Sequence, residues 1–124
     1  VNAVKWYKGN IPYYVIGTHY QDDIAIIEHE LSHAFWHLDE LYRRKAIELV
    51  TDLPANFFIK MTNTLKEMGY CDEVMKDEIT AYLSTDNLYD IVDMLETNKI
   101  PWEHMLKFQQ HFYEYKKTKE DEQE

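Results

Sequence analysis

Two histidines four residues apart, His29 and His33, sit inside an otherwise largely apolar stretch from Ile24 to Leu38. That combination leaves the stretch few conformations. At about 100° per helical residue, His33 falls about 40° from His29, and Glu30 about 100° from it. Ile24, Ile27, Leu31, Ala34, Phe35 and Leu38 gather on the opposite side. The pattern predicts a helix from about Asp23 to Leu38, held in a core by its back and presenting His29, Glu30 and His33 from its front. Ile26 and Trp36 fall on the front too, so that side is expected to be covered. Imidazoles under cover need partners. One turn apart on one face, they can share a metal ion; two hydrogen-bonded core histidines are the plainer alternative.

The rest of the chain reads as one mainly α (α+β) domain. Residues 4–20 read as β: Val4 to Lys8, a Gly9-Asn10 turn, then Ile11 to Ile16, with aromatic and β-branched residues dominant. Pro12 suits a strand start or an edge. An edge strand there either covers the motif helix or pairs with an extended peptide. Asp22 or Asp23 can cap the motif helix. About five further helices are expected. Leu41 to Asp52 carries the stripe Tyr42, Ala46, Leu49, Val50 and Leu53. Pro54 opens the next, with Phe57, Phe58, Met61, Leu65 and Met68, and Gly69 stops it. Asp72 can cap a helix from Glu73 to about Leu83, and Ser84-Thr85-Asp86 can cap one from Asn87 to Glu96. Pro101 opens the last, with Trp102, Met105, Leu106, Phe108, Phe112 and Tyr115. Residues 1–117 are expected to form the domain, and the charged 118–124 a disordered tail.

A third ligand has to come from elsewhere, since zinc takes three protein groups when it keeps one position open for chemistry. Four carboxylates compete. Glu48 and Asp52 share a charged face with Arg44 and Lys45, which suits water. Asp39 follows His33 by six residues, the spacing of zinc sites that turn the chain back at a glycine, but Trp36 stands where that glycine belongs. Glu78 lies among Val74, Met75, Ile79 and Tyr82, where an unpaired carboxylate is expensive to bury. Glu78 is therefore favoured. His37 continues the row of His29 and His33 but lies about 12 Å along the axis from His29. It is expected to support or to pack rather than share that ion.

His29-Glu30-Leu31-Ser32-His33, followed by Asp77-Glu78-Ile79-Thr80-Ala81-Tyr82-Leu83, resembles the gluzincins, zinc metallopeptidases with two motif histidines and a glutamate from a later helix. The likeness spans about residues 11–85 and is to the compact, minimal members. It implies a zincin-like active-site helix, one zinc ion on His29, His33 and Glu78, and Glu30 as general base and proton shuttle in peptide hydrolysis. Where thermolysin-type members carry an aspartate four residues after the glutamate ligand, this chain has Tyr82. Asp77 or another carboxylate is left to orient a motif imidazole. Tyr82, Tyr70 and His111 are open as oxyanion donors, with Tyr82 placed first. The alternatives are a metal-binding but non-hydrolytic helical domain, structural or interacting with proteins, and a helical interaction module without metal, for which the aromatic last helix offers a surface.

A net charge of −10 argues against nucleic-acid and anionic-membrane partners, and leaves a peptide or protein as the expected substrate. A single cysteine, Cys71, with no leader or apolar span, favours a reducing, cytoplasmic setting. The chain begins at Val1, so a larger parent protein that supplies specificity stays open, as does the oligomeric state.

Overall fold

The computed structural model describes residues 2–6, 14–18 and 24–122, with side chains from Ile26 onward. Among them the chain is mainly helical. Asn2–Trp6 (β1) and Tyr14–Thr18 (β2) pair antiparallel, Asn2 opposite Thr18 and Trp6 opposite Tyr14. Six α-helices follow: α1 Ile24–Leu38, α2 Glu40–Thr51, α3 Ala55–Glu67, α4 Met75–Thr85, α5 Leu88–Leu95 and α6 Trp102–Glu122. A 3-10 turn, Asp72–Val74, leads into α4. The expected Gly9-Asn10 turn, Pro12, and the Asp22 or Asp23 cap lie outside the described residues.

Helix α4 is the axis of the bundle. It packs against α1, α6, α2 and α3, and it is buried nearly all round, from Met75 through Ile79, Ala81 and Leu83 to Thr85. Hydroxyls on a helix this buried can bond carbonyls of their own helix. Thr80 and Thr85 do so by donating their hydroxyls to the carbonyls of Lys76 and Ala81, at 2.8 Å each. The small side chains Thr80, Ala81 and Ser84 allow neighbouring helices to approach.

Two cores result. The larger is built from α2 to α6 and the segments joining them: Leu49, Val50, Leu53, Phe57, Met61, Leu65, Ile79, Leu83, Ile91, Leu95, Met105 and Phe108 are among its members. The smaller holds α1, through Leu31 and Phe35 against Tyr42 and Phe112. Phe35 packs edge-on to Tyr42, with ring centroids 5.5 Å apart. The apolar stripe expected of α2 is thus buried, and so is the back of α1 at Leu31, Ala34 and Phe35. The front of α1 is covered by α4, but Ile26 stands 53% exposed at its open edge, contrary to expectation.

The helix ends follow local chemistry. After α3, Gly69 adopts φ +105°. Its N–H bonds Lys66 O at 3.0 Å, and the Tyr70 N–H reaches back to Leu65 O at 3.1 Å. This is the paired-bond stop that glycine permits. Ser84 and Thr85 belong to α4, so the cap of α5 falls to Asn87, which accepts from the Asp90 N–H at 2.9 Å. Where a disordered tail was expected over 118–124, α6 continues as helix to Glu122, and 123–124 lie outside the described residues. The charges that suggested fraying serve as helical partners: Lys116 with Glu120, and Lys119 with Glu122. Lys116 also bonds Glu28 on α1 at 3.2 Å, and Tyr113 donates to the other Glu28 oxygen at 3.0 Å.

Asp39 separates α1 from α2 and caps α2, accepting from the Tyr42 N–H at 3.1 Å. It also accepts from the Tyr115 hydroxyl. Burial opposes its charge, but the Tyr115 hydroxyl, the Tyr42 and Leu41 amides and nearby Lys119 outweigh it and hold the carboxyl below its ordinary 3.8. Asp39→Ala is expected to lower stability by about 1–2 kcal/mol in urea unfolding. A depressed folded pKa contributes stability that is complete above the unfolded value and is lost as pH falls through the folded one. The gap between wild type and Asp39→Asn should therefore narrow in unfolding titrations taken progressively below pH 3.8.

Candidate metal centre

His29 and His33 leave the front of α1, and α4 brings two consecutive acidic residues against them. Asp77 and Glu78 are 6% and 9% exposed. Their burial follows from the position of α4 at the centre of the bundle. The flank of Glu78 is apolar, as the sequence indicated, through Met75 and Ile79; Val74 instead stands in the 3-10 turn and is 38% exposed.

The Nε2 atoms of both motif histidines point to the Glu78 carboxylate. His33 Nε2 lies 3.3 Å from Oε1, and His29 Nε2 lies 3.7 Å from Oε2. The second distance is within ion-pair reach but too long for a hydrogen bond, and Glu78 Oε2 is buried with no hydrogen-bond partner. One ligand atom from each of His29, His33 and Glu78 lies within 4.8 Å of the others, the one such group among the described residues. Two imidazole nitrogens and a carboxylate suit zinc, and the unsatisfied Oε2 gives a buried ligand a reason to bind there. On both counts these residues fit the ion that the motif implies.

The other edge of the His33 ring is also held. His33 Nδ1 pairs with Asp77 Oδ1 at 2.9 Å, and His37 Nε2 with Asp77 Oδ2 at 3.1 Å. The sequence left the orienting carboxylate unassigned between Asp77 and others; Asp77 is the one in contact. The His29 ring packs edge-on to His33 and to Tyr82, with centroid distances of 4.9 and 4.8 Å.

The electrostatics of the metal-free cluster follow from that crowding. Burial disfavours a charged His33, but hydrogen bonds to Asp77 and Glu78 and their negative charges prevail and raise it to about 10. Burial would raise Glu78, yet His29 and His33 together hold it down at about 2. The carboxylates are thus set to neutralise positive charge between the helices. Burial pushes the Tyr82 hydroxyl well above its usual value, as does the Tyr70 hydroxyl 3.3 Å away, so Tyr82 stays protonated and able to donate.

Beside the cluster is a small open cleft of about 230 Å³, lined by Ile26, His29, Glu30, Tyr82 and Asp86. Glu30 and Tyr82 therefore face one space with a motif histidine. The sequence offered Asp86 only as part of the Ser84-Thr85-Asp86 cap, not as a residue of this cleft. Burial, partly offset by the charge of His29 and aided by that of Asp90, raises its pKa.

The other candidates are engaged elsewhere. Asp39 caps α2. Glu48 is exposed and pairs with Lys45 at 3.8 Å, and Asp52 is exposed at the end of α2. His111 stacks on Tyr42 with centroids 4.3 Å apart and bonds the Tyr42 carbonyl at 3.1 Å, which removes it as a donor to the cleft.

Equilibrium dialysis of the chelator-treated protein with zinc should give retention in the wild type and in Glu48→Ala, and at least a hundredfold weaker binding in His29→Ala and Glu78→Ala. Because His33 holds its proton until about pH 10 without metal, zinc added at pH 7 should displace a proton. A pH indicator should register that release, and His33→Ala should abolish it.

No described helix is long and apolar enough to cross a membrane. No family model, curated protein or solved structure matches the chain.

Proposed function

We propose that the protein is a zinc-dependent metallopeptidase of gluzincin type, acting on peptide or protein substrates. One observation carries the reading: His29, His33 and Glu78 bring three ligand atoms within 4.8 Å of one another, while Glu30 stands apart from them on the adjoining cleft. A site meant only to staple helices has no use for that fourth group and ordinarily closes with four protein ligands.

Zinc held by His29, His33 and Glu78 would supply a Lewis acid that acidifies water and polarises a scissile carbonyl. The protein's own groups do the rest. Glu30 takes a proton from the attacking water and passes it to the departing amine. Tyr82, kept neutral by its surroundings, directs a hydroxyl toward developing negative charge on the carbonyl oxygen. The Tyr70 hydroxyl, 3.3 Å from that of Tyr82, helps fix where the Tyr82 oxygen sits. The β1–β2 ribbon ahead of α1 offers an extended substrate a strand to lie beside.

Glu30→Gln is the decisive variant. It should bind zinc as the wild type does and lose peptide-bond hydrolysis by about 10²–10⁴-fold, assayed on a mixed peptide library by mass spectrometry. Undiminished turnover in a fully loaded Glu30→Gln protein would refute the assignment. Tyr82→Phe should retain zinc and reduce turnover by a smaller factor.

A further inference from the structure

Asp77 has two carboxylate oxygens and both are engaged, one by each of two histidines a turn apart on α1. Oδ1 meets His33 Nδ1 at 2.9 Å and Oδ2 meets His37 Nε2 at 3.1 Å. Asp77 is buried, whereas the His37 side chain is 61% exposed. His37 is not among the three groups that converge as ligands.

An imidazole that offers Nε2 to a metal carries its hydrogen on Nδ1, and the acceptor of that hydrogen sets both tautomer and ring orientation. For His33 the acceptor is Asp77 Oδ1. A carboxylate held at one oxygen only keeps freedom about its last torsion, which is broad for aspartate. A donor on the second oxygen fixes its plane. His37 is within reach because α1 runs unbroken through Trp36 to Leu38.

We propose that His37, acting through Asp77, orients His33 and so sets the affinity of the centre for zinc. His37 is a positioning residue: it holds the carboxylate, the carboxylate holds His33, and His33 presents Nε2 toward Glu78. This rests on the zinc reading above but adds a surface residue that the motif does not include.

The test is the zinc dissociation constant of the full chain, measured by competition with a chromophoric chelator. His37→Ala should weaken zinc by about tenfold, the lower end of what such outer partners contribute. His37→Gln, which keeps a donor near the Nε2 position, should recover most of that loss. Asp77→Ala should weaken binding at least as much, and adding His37→Ala to it should cost nothing further. In the zinc-loaded protein, the His33 Nδ1–H proton resonance should shift or broaden in His37→Ala and return in His37→Gln. A role confined to the stability of α1 would move neither that resonance nor the rescue. An unchanged constant in His37→Ala, or a loss that adds in full to that of Asp77→Ala, overturns the proposal. If the wild type binds zinc and loses it in His29→Ala while His37→Ala is silent, only the positioning role falls. If the wild type binds no zinc, the metallopeptidase reading falls with it.

Discussion

Everything at the candidate centre depends on burying two adjacent carboxylates, Asp77 and Glu78, between helices. Uncompensated, such groups cost several kcal/mol each. Here the compensation comes from one neighbour, α1, which sets three imidazoles against them at one-turn intervals. The helical repeat matches the need. Glu78 takes His29 and His33, and Asp77 takes His33 and His37. The shared member, His33, has one nitrogen on each carboxylate, which explains why its protonated form is so strongly favoured despite burial.

Much of the helical framework could be read from apolar spacing. The stripe Tyr42, Ala46, Leu49, Val50 and Leu53 announced a buried face on α2, and each member is buried. Glu78 could be singled out for a related reason: a carboxylate beside Met75 and Ile79 conflicts with its surroundings, and such conflicts mark sites. The contacts of Asp77 were not legible. Sequence spacing could offer His37 as a continuation of the histidine row and Asp77 as one possible orienting carboxylate, but their meeting depends on how α1 and α4 cross. Asp39 illustrates the same limit, since its spacing from His33 hinted at a ligand while its use is to cap α2.

Charge density at the end of α6 has two meanings. A run rich in lysine and glutamate is disordered when its charges find only water. It is helical when they recur at three- and four-residue intervals with opposite sign, and when one end is anchored. Lys116 and Tyr113 give that anchor by engaging Glu28, the residue just before His29. The last helix therefore reaches the first near the candidate centre, although its residues touch neither His29 nor Glu78 through any polar contact described.

The separation of the two cores has a consequence for cooperativity. The larger is complete without α1, which is held by the smaller cluster of Leu31, Phe35, Tyr42 and Phe112 and by its polar contacts. Were α1 to open as its own sub-global unit, as parts of other proteins do, that step would break the smaller cluster and leave the larger one intact. A ligand bridging α1 and α4 adds its binding free energy to that one local step. Slow amide exchange in α1 would then report occupancy of the centre, while the amides of α3 and α5 would report only the fold.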